Sequence, residues 1–304
     1  MARQLVWFRS DLRTLDNTAL AAAAAKGPVI AVFLHCAPQW QAHGHGPNKI
    51  DFWRRGVEAL REALTGLNIP LLQRSISRFS EAPDTLLALA REHDIATLHF
   101  NREYPLNEWR RDQAVAETFG QAGLGVQAHT DAVAFAPGEL LTGKNEFYRV
   151  FTPFAKAWHR EVDHKRLALR DDPAPQKRLA LDSDPLPKLA EDAGHPIDAG
   201  LWPAGQDAAA DRLERFLRYR ARHYREARDQ PSVHGTSELS PYLALGMISY
   251  RQCLQAVMSE NGGHLADGDA GLTAWVNELI WREFYQHIAF GFPEVCRHRP
   301  FQAH

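Results

Sequence analysis

QLVWF at residues 4–8 is the run that decides the fold: four apolar residues in succession, with no polar alternation, leading into the charged turn Arg9-Ser10-Asp11. A strand with water on one face alternates apolar and polar side chains, whereas a strand covered on both faces does not. PVIAVFL (28–34), IPLLQ (69–73), ATLHF (96–100) and VQAH (126–129) also read as buried strands, the set being rich in Val, Ile, Leu and Phe. Helical patterns lie between them at 17–26, 48–65, 82–93 and 107–122. This alternation predicts an α/β domain with a parallel sheet and helices on both faces. Ligands of such sheets sit beyond the carboxyl ends of the strands. Those ends are Arg9-Ser10-Asp11, His35-Cys36, Asn101-Arg102-Glu103 and Thr130-Asp131.

Beyond residue 130 the regular pattern weakens. Residues 171–205 are rich in Pro, Asp, Ala and Gly, which suits a long surface connection. Helical patterns return at 207–228, 241–247, 249–260 and 270–290. The expected organisation is an α/β domain over 1–130, a connection over 131–205 and an all-helical region over 206–304.

With 304 residues, 45% of them hydrophobic and 24% charged, the chain can build two ordinary globular cores. No apolar run approaches the ~18 residues that span a bilayer, so no membrane partner is expected. The N-terminus enters a strand directly and reads as neither signal nor transit peptide. Cys36, Cys253 and Cys296 lie far apart with no CxxC spacing, which argues against a zinc ribbon and for a reducing, cytoplasmic setting.

WVNELIWREFYQH, Trp275 to His287, is the most informative stretch for function. At 3.6 residues per turn, Trp275, Glu278, Arg282 and Tyr285 share a helical face, with Trp281 beside them. One reading is a packed helix with an internal ion pair. The other is a pocket wall on which a flat ring stacks while the carboxylate grips its edge.

Residues 212–228 carry seven arginines against two glutamates. Arg212, Arg215, Arg218, Arg222 and Arg225 recur every three or four residues, forming either a solvated basic face or one that tracks phosphates. In HGTSELSPYLALG (234–246), Thr236, Ser237 and Ser240 supply three hydroxyls, and Ser240-Pro241 has the pattern of a helix cap. Gly138 to Lys144 matches the spacing of a phosphate loop, but Asn145 replaces the residue that would hold magnesium and no strand leads into it. His43, Asn107 and Glu108 each read singly as surface residues, the Asn-Glu pair as a helix-opening arrangement. No metal or nucleophile-triad spacing occurs.

Together, LVWFRSDLRTLDN (5–17), GTSELS (235–240), WVNELIWREFY (275–285) and CRHRPF (296–301) resemble the DNA photolyase/cryptochrome family, with bacterial folate-type cyclobutane pyrimidine dimer photolyases as the nearest match. The resemblance implies a Rossmann-like antenna domain, a long linker and a helical FAD-binding domain. It implies light-driven repair of pyrimidine dimers by electron transfer from reduced FAD, in a monomer that binds damaged DNA. Tyr224, Thr236, Ser237, Glu238, Leu239, Ser240 and Trp275 match FAD contacts of the family, Glu238 through its backbone. Glu278 and Trp281 match the residues that hydrogen-bond and stack on the dimer. Arg228, Arg282 and Tyr285 lie on the matching DNA-facing surface. His43, Asn107, Glu108 and Cys296 match contacts of a 5,10-methenyltetrahydrofolate antenna, and Arg297 replaces a lysine there, keeping the charge but changing the reach.

The family's helical domain continues past the HRPF motif, with further flavin contacts and a tryptophan chain that have no counterpart positions here. The expectation is therefore an N-terminal part of a photolyase that alone holds flavin weakly and does not repair. A cryptochrome-like light sensor and a non-catalytic folate- or nucleotide-binding module are the alternatives.

Overall fold

The computed structural model describes residues 2–187 and 198–301; the part of the expected connection at 188–197 lies outside them, as do the chain's last three residues. Strand β1 (Arg3–Phe8) lies at the centre of a five-stranded sheet with β2 (Val29–His35), β3 (Leu71–Ser75), β4 (Ile95–Asn101) and β5 (Gly125–His129). The strand order is β3-β2-β1-β4-β5 and every pairing is parallel, with Val6 opposite Ala31 on one side and His99 on the other. Every residue of β2 is buried, so both faces of the sheet are covered, as the unbroken apolar runs predict.

The covering helices are α1 (Thr18–Ala24), α2 (Ala37–Ala42), α3 (Pro47–Gly66), α4 (Ala82–Glu92) and α5 (Leu106–Gln121). Asn17 starts α1 by accepting a hydrogen bond from the Leu20 amide. Two details differ from the sequence pattern. Strand β3 begins two residues late, because Pro70 has no N–H to give to the ladder. Helix α2 follows the turn at Cys36 and brings Trp40 inward, although nothing periodic announces it.

The connection is partly built structure. Helix α6 (Phe151–Glu161) buries Phe154, Ala155, Ala157 and Trp158 along one face, at the spacing of a packed helix, and a short α7 (His164–Leu167) follows. Further on the chain runs along the sheet border. Gln176 bonds both the N–H and the carbonyl of Val29 (2.7 and 2.9 Å). Ser183 accepts from Leu71 N (3.0 Å), Asp184 accepts from Gln73 N (2.8 Å), and Asp184 N donates to Leu71 O (2.9 Å). The free backbone groups of edge strand β3 are thus taken up.

The helical region comprises α8 (Gln206–Tyr219), α9 (Tyr224–Ala227), α10 (Ser240–Ala244), α11 (Tyr250–Glu260) and α12 (Ala270–Gly291). The single helix expected over 207–228 is broken: a 3₁₀ turn at Ala221–His223 redirects it. There Gly271 of α12 sits so close that an added Cβ would meet the Ala221 carbonyl at 2.3 Å.

A buried polar joint ties this region to the sheet. Arg251 of α11 is 1% exposed and donates to Asp16 and to Asp131 (2.7 Å), while Arg13 pairs with Asp131 at 2.5 Å. Burial would raise the Asp131 pKa, but the two guanidiniums hold it well below the usual carboxylate range. At Gly246 (φ +62°) a side chain would run into the Ser10 carbonyl, so this left-handed turn needs glycine. No helix among the described residues is long and apolar enough to cross a membrane.

Candidate functional site

Helix α12 is opened by Asp269, which accepts from the Gly271 and Leu272 amides (2.9 and 3.1 Å). Its expected single functional face splits in two, because seven residues miss two full turns by only about 20° and so pair 275 with 282 and 278 with 285. Trp275 is buried against Phe216 (ring centroids 5.0 Å). Arg282, two turns further on, also turns inward, donating to the carbonyls of Ala132 (2.8 Å) and Leu243 (3.2 Å). Its guanidinium is thus committed to the joint, away from the surface where sequence placed it. Glu278 and Tyr285 face outward, with Tyr285 59% exposed.

Trp281 is half-buried and lies flat on Phe151 (centroids 3.7 Å, planes 9° apart), with Tyr285 tilted against it at 5.5 Å. Glu278 is half-exposed and ion-paired to Arg228, whose guanidinium lies 5.8 Å from the Tyr224 ring. Burial, then the nearby Glu278 carboxylate, raise the Tyr224 pKa. The two residues are therefore neither sealed in a helix contact nor left in water.

The hydroxyl loop meets this cluster. Gly235 packs on Ala227 so tightly that a Cβ would come within 2.5 Å, which sets residues 236–240 beside α9. Ser240 is the first helical residue of α10 and not its cap, which is Leu239 with no side-chain bond. The Thr236 and Ser240 side chains are exposed, and the Ser237 hydroxyl accepts from Leu239 N (3.4 Å). Leu239 is fully buried. Glu238 has φ +55°, and its carboxylate is held by Arg212 (2.6 Å) and Arg220 (3.7 Å), leaving only its backbone for a ligand. The arginine stripe is largely paired: Arg215 with Asp211, Arg218 with Glu214, and Arg222 with Asp269. Arg225 has no carboxylate partner among the described residues.

A cavity of about 320 Å³ opens at the carboxyl ends of β1, β2 and β4, where the strand order reverses. Arg9, Asp11, Cys36, Asn101, Glu103 and Asp131 line it, as the strand-end rule anticipates. Sequence did not single out its aromatic walls, Trp7, Trp40 and Trp53. Trp40 and Trp53 stack at 4.4 Å, and the guanidiniums of Arg9 and Arg111 lie 4.3 and 4.6 Å from the Trp7 ring. Burial works to raise the Glu103 pKa, yet Arg111 and Arg9 hold it down to about 2.

Of the expected folate contacts, only Glu108 borders this cavity; burial, then Glu103, raise its pKa. Asn107 is exposed and caps nothing, since α5 starts at Leu106 and the cap position is Pro105, which makes no side-chain bond. His43 is exposed at the end of α2. The Cys296 thiol points at the Ala289 carbonyl (3.7 Å), and Arg297 pairs with Glu294 (3.0 Å).

Comparison with known proteins joins these observations. Residues 4–176 match the family model described as DNA photolyase. The chain belongs to the DNA photolyase family. A deoxyribodipyrimidine photo-lyase of Salmonella typhimurium is 39% identical over 303 residues, covering 99% of this chain and 63% of that protein. The Escherichia coli photo-lyase is 36% identical, covering 100% and 64%. The crystal structure of a class III photolyase from Agrobacterium tumefaciens superposes with TM-score 0.81 at 28% identity, over 97% of this chain and 60% of that one. The chain thus spans about three fifths of the photolyases it matches.

Proposed function

We propose that this chain forms part of a deoxyribodipyrimidine photo-lyase that repairs cyclobutane pyrimidine dimers in DNA, with FAD as catalytic cofactor and 5,10-methenyltetrahydrofolate as antenna. The observation that carries this reading is the pair of half-exposed Glu278 and half-buried Trp281, set beside Tyr224, Arg228 and the hydroxyl loop. Tyr224, Thr236, Ser237, Leu239 and Ser240 would hold the FAD, with the Glu238 backbone, and Trp275 would support them from the core. The fit rests on two exposed hydroxyl side chains, Thr236 and Ser240, on the loop that Gly235 packs against α9, the helix that begins with the buried Tyr224. When bound and reduced, the flavin supplies an electron on absorbing light. His43, Asn107, Glu108, Cys296 and Arg297 are assigned to the folate. A cytoplasmic monomer acting on damaged DNA is part of the same proposal.

The chain's own residues do the recognition. Taking a dimer out of the duplex costs a few kcal/mol, least for an already unstacked base. One aromatic stacking contact contributes about 1–3 kcal/mol, so Trp281 offsets much of that cost. Arg228 orients the Glu278 carboxylate, which then accepts hydrogen bonds from the pyrimidine edge. Arg225, Arg228 and Tyr285 face the phosphates without reading sequence, as repair at any site requires.

The test is binding of the 304-residue protein, at low salt, to an oligonucleotide with one thymine dimer and to the undamaged oligonucleotide. Tighter binding of the damaged strand is expected, with less than stoichiometric flavin retained through gel filtration. Equal affinity for both would sink the repair reading and favour a light sensor.

A further inference from the structure

Helix α6 opens with Phe151-Thr152-Pro153-Phe154, and a spacing of three sends both phenyl rings off the same side of the helix. Phe154 is fully buried and meets Phe284 of α12 at 5.3 Å, which anchors that side of α6 to α12. Phe151, only half-buried, is carried with it to lie over the Trp281 indole. Phe284 stands edge-on to both members of this pair, 6.0 Å from Phe151 with planes 71° apart and 5.6 Å from Trp281 with planes 77° apart.

Aromatic rings left to themselves prefer an offset or edge-to-face arrangement to a direct face-to-face one. Centroids 3.7 Å apart with planes 9° apart are face to face, so this stack is imposed by what holds the two rings: the start of α6 on one side and Phe284 beside both. Two consequences follow for the indole. A phenyl at that distance takes up one of its faces, leaving no room there for another ring. The indole also cannot rotate about its side-chain bonds without displacing the phenyl. Tyr285 is farther away, at 5.5 Å and tilted by 27°, and Trp281 keeps part of its surface open to solvent.

We propose that Phe151 is a positioning residue for lesion recognition, an inference that rests on the repair reading above. Its ring occupies one face of Trp281 and fixes the indole in a single orientation. A pyrimidine dimer then meets a preset platform with one face left to stack on. A side chain that must be immobilised on binding lowers affinity, and one already held in place does not. Phe151 touches the lesion only through Trp281, so its removal acts on how firmly the dimer is held and not on the phosphate contacts of Arg225 and Arg228.

The test compares Phe151→Leu and Phe151→Tyr with the parent 304-residue protein, each labelled with 5-fluorotryptophan. Of the eight tryptophans, Trp281 gives the fluorine resonance that is missing from Trp281→Phe. Phe151→Leu is expected to shift and broaden that resonance, because the stacked ring is lost and the indole is freed; Phe151→Tyr, which keeps a ring, should leave it near its parent position. Phe151→Leu should bind a dimer-containing oligonucleotide about three- to tenfold more weakly, with affinity for undamaged DNA within twofold and Phe151→Tyr close to the parent on both. An unmoved Trp281 resonance, an unchanged dimer affinity, or an equal loss on both oligonucleotides overturns the proposal. So does tighter dimer binding by Phe151→Leu, which would mean that Phe151 sits in the lesion's own place. If the parent protein itself shows no preference for the dimer, the repair reading fails and this one with it, an outcome distinct from the failure of Phe151 alone.

Discussion

Arg251 donates through Nε to both carboxylate oxygens of Asp16, at 3.0 and 2.9 Å, across 235 residues of chain. The same guanidinium reaches Asp131 at 2.7 Å, so a single side chain of α11 joins the turn after β1 to the turn after β5. The sheet and the helical region are held in register by a charge that water does not reach.

Replacing that residue tests how much depends on it. Arg251→Met leaves two carboxylates buried with less compensation, and removing one partner of a buried pair typically costs about 3–5 kcal/mol. Denaturant unfolding should show a loss of that order. A change below about 1 kcal/mol would show the joint to be held by packing alone.

Glu283 gives a pH dependence of definite sign. Its carboxylate accepts from the Ala134 and Phe135 amides (2.8 and 3.0 Å), and burial pushes its pKa from 4.5 up to about 7. The folded state therefore holds this proton more tightly than the unfolded chain, and the associated stability declines as pH rises from about 4.5 to 7. His287, one turn away, is pulled by burial down to about 4, so its contribution rises with pH over about 4 to 6.5 and masks part of the decline. Glu283→Gln removes only the first of these. Its deficit in melting temperature against the parent should be smaller at pH 8 than at pH 5; a constant deficit would contradict the assignment.

Trp281 should matter for damaged DNA and not for DNA in general. Trp281→Ala is expected to weaken binding of a dimer-containing oligonucleotide about tenfold to a hundredfold, with Trp281→Phe in between. Affinity for undamaged DNA should stay within twofold. Equal losses on both substrates would mean that the indole only supports Phe151 and the helix.

The paired arginines make a contrast within one surface. Arg218 is tied to Glu214, whereas Arg225 has no carboxylate partner among the described residues. In plots of log affinity against log salt, Arg225→Ala should lower the slope by about one, and Arg218→Ala by clearly less. Equal changes would show that DNA displaces the intrahelical carboxylates.

The sheet was legible in sequence because its central strands β1 and β2 are buried on both sides, and burial writes itself as unbroken apolar runs. Strand ends were legible for the same reason, and Arg9, Asp11, Asn101 and Asp131 do line a cavity. Features made by distant residues were not. Phe151 and Trp281 are 130 positions apart, and only the folded chain lays one ring on the other. Trp40 stacks on Trp53 from a helix of six residues, too short to show a period. The split face of α12 has another cause: residues three apart diverge by about 60°, and local burial decided that Arg282 went in while Tyr285 stayed out. Ser240 has the composition of a cap, yet the helix begins one residue earlier.

Ser183 and Asp184 occupy the outer border of β3 with bonds that another polypeptide would otherwise be free to make. A cut in that strap would turn the border into a docking ladder through which copies of the protein could zip together. Limited digestion of the connection should therefore convert a well-behaved solution into one that clouds, while the interior of each molecule stays intact.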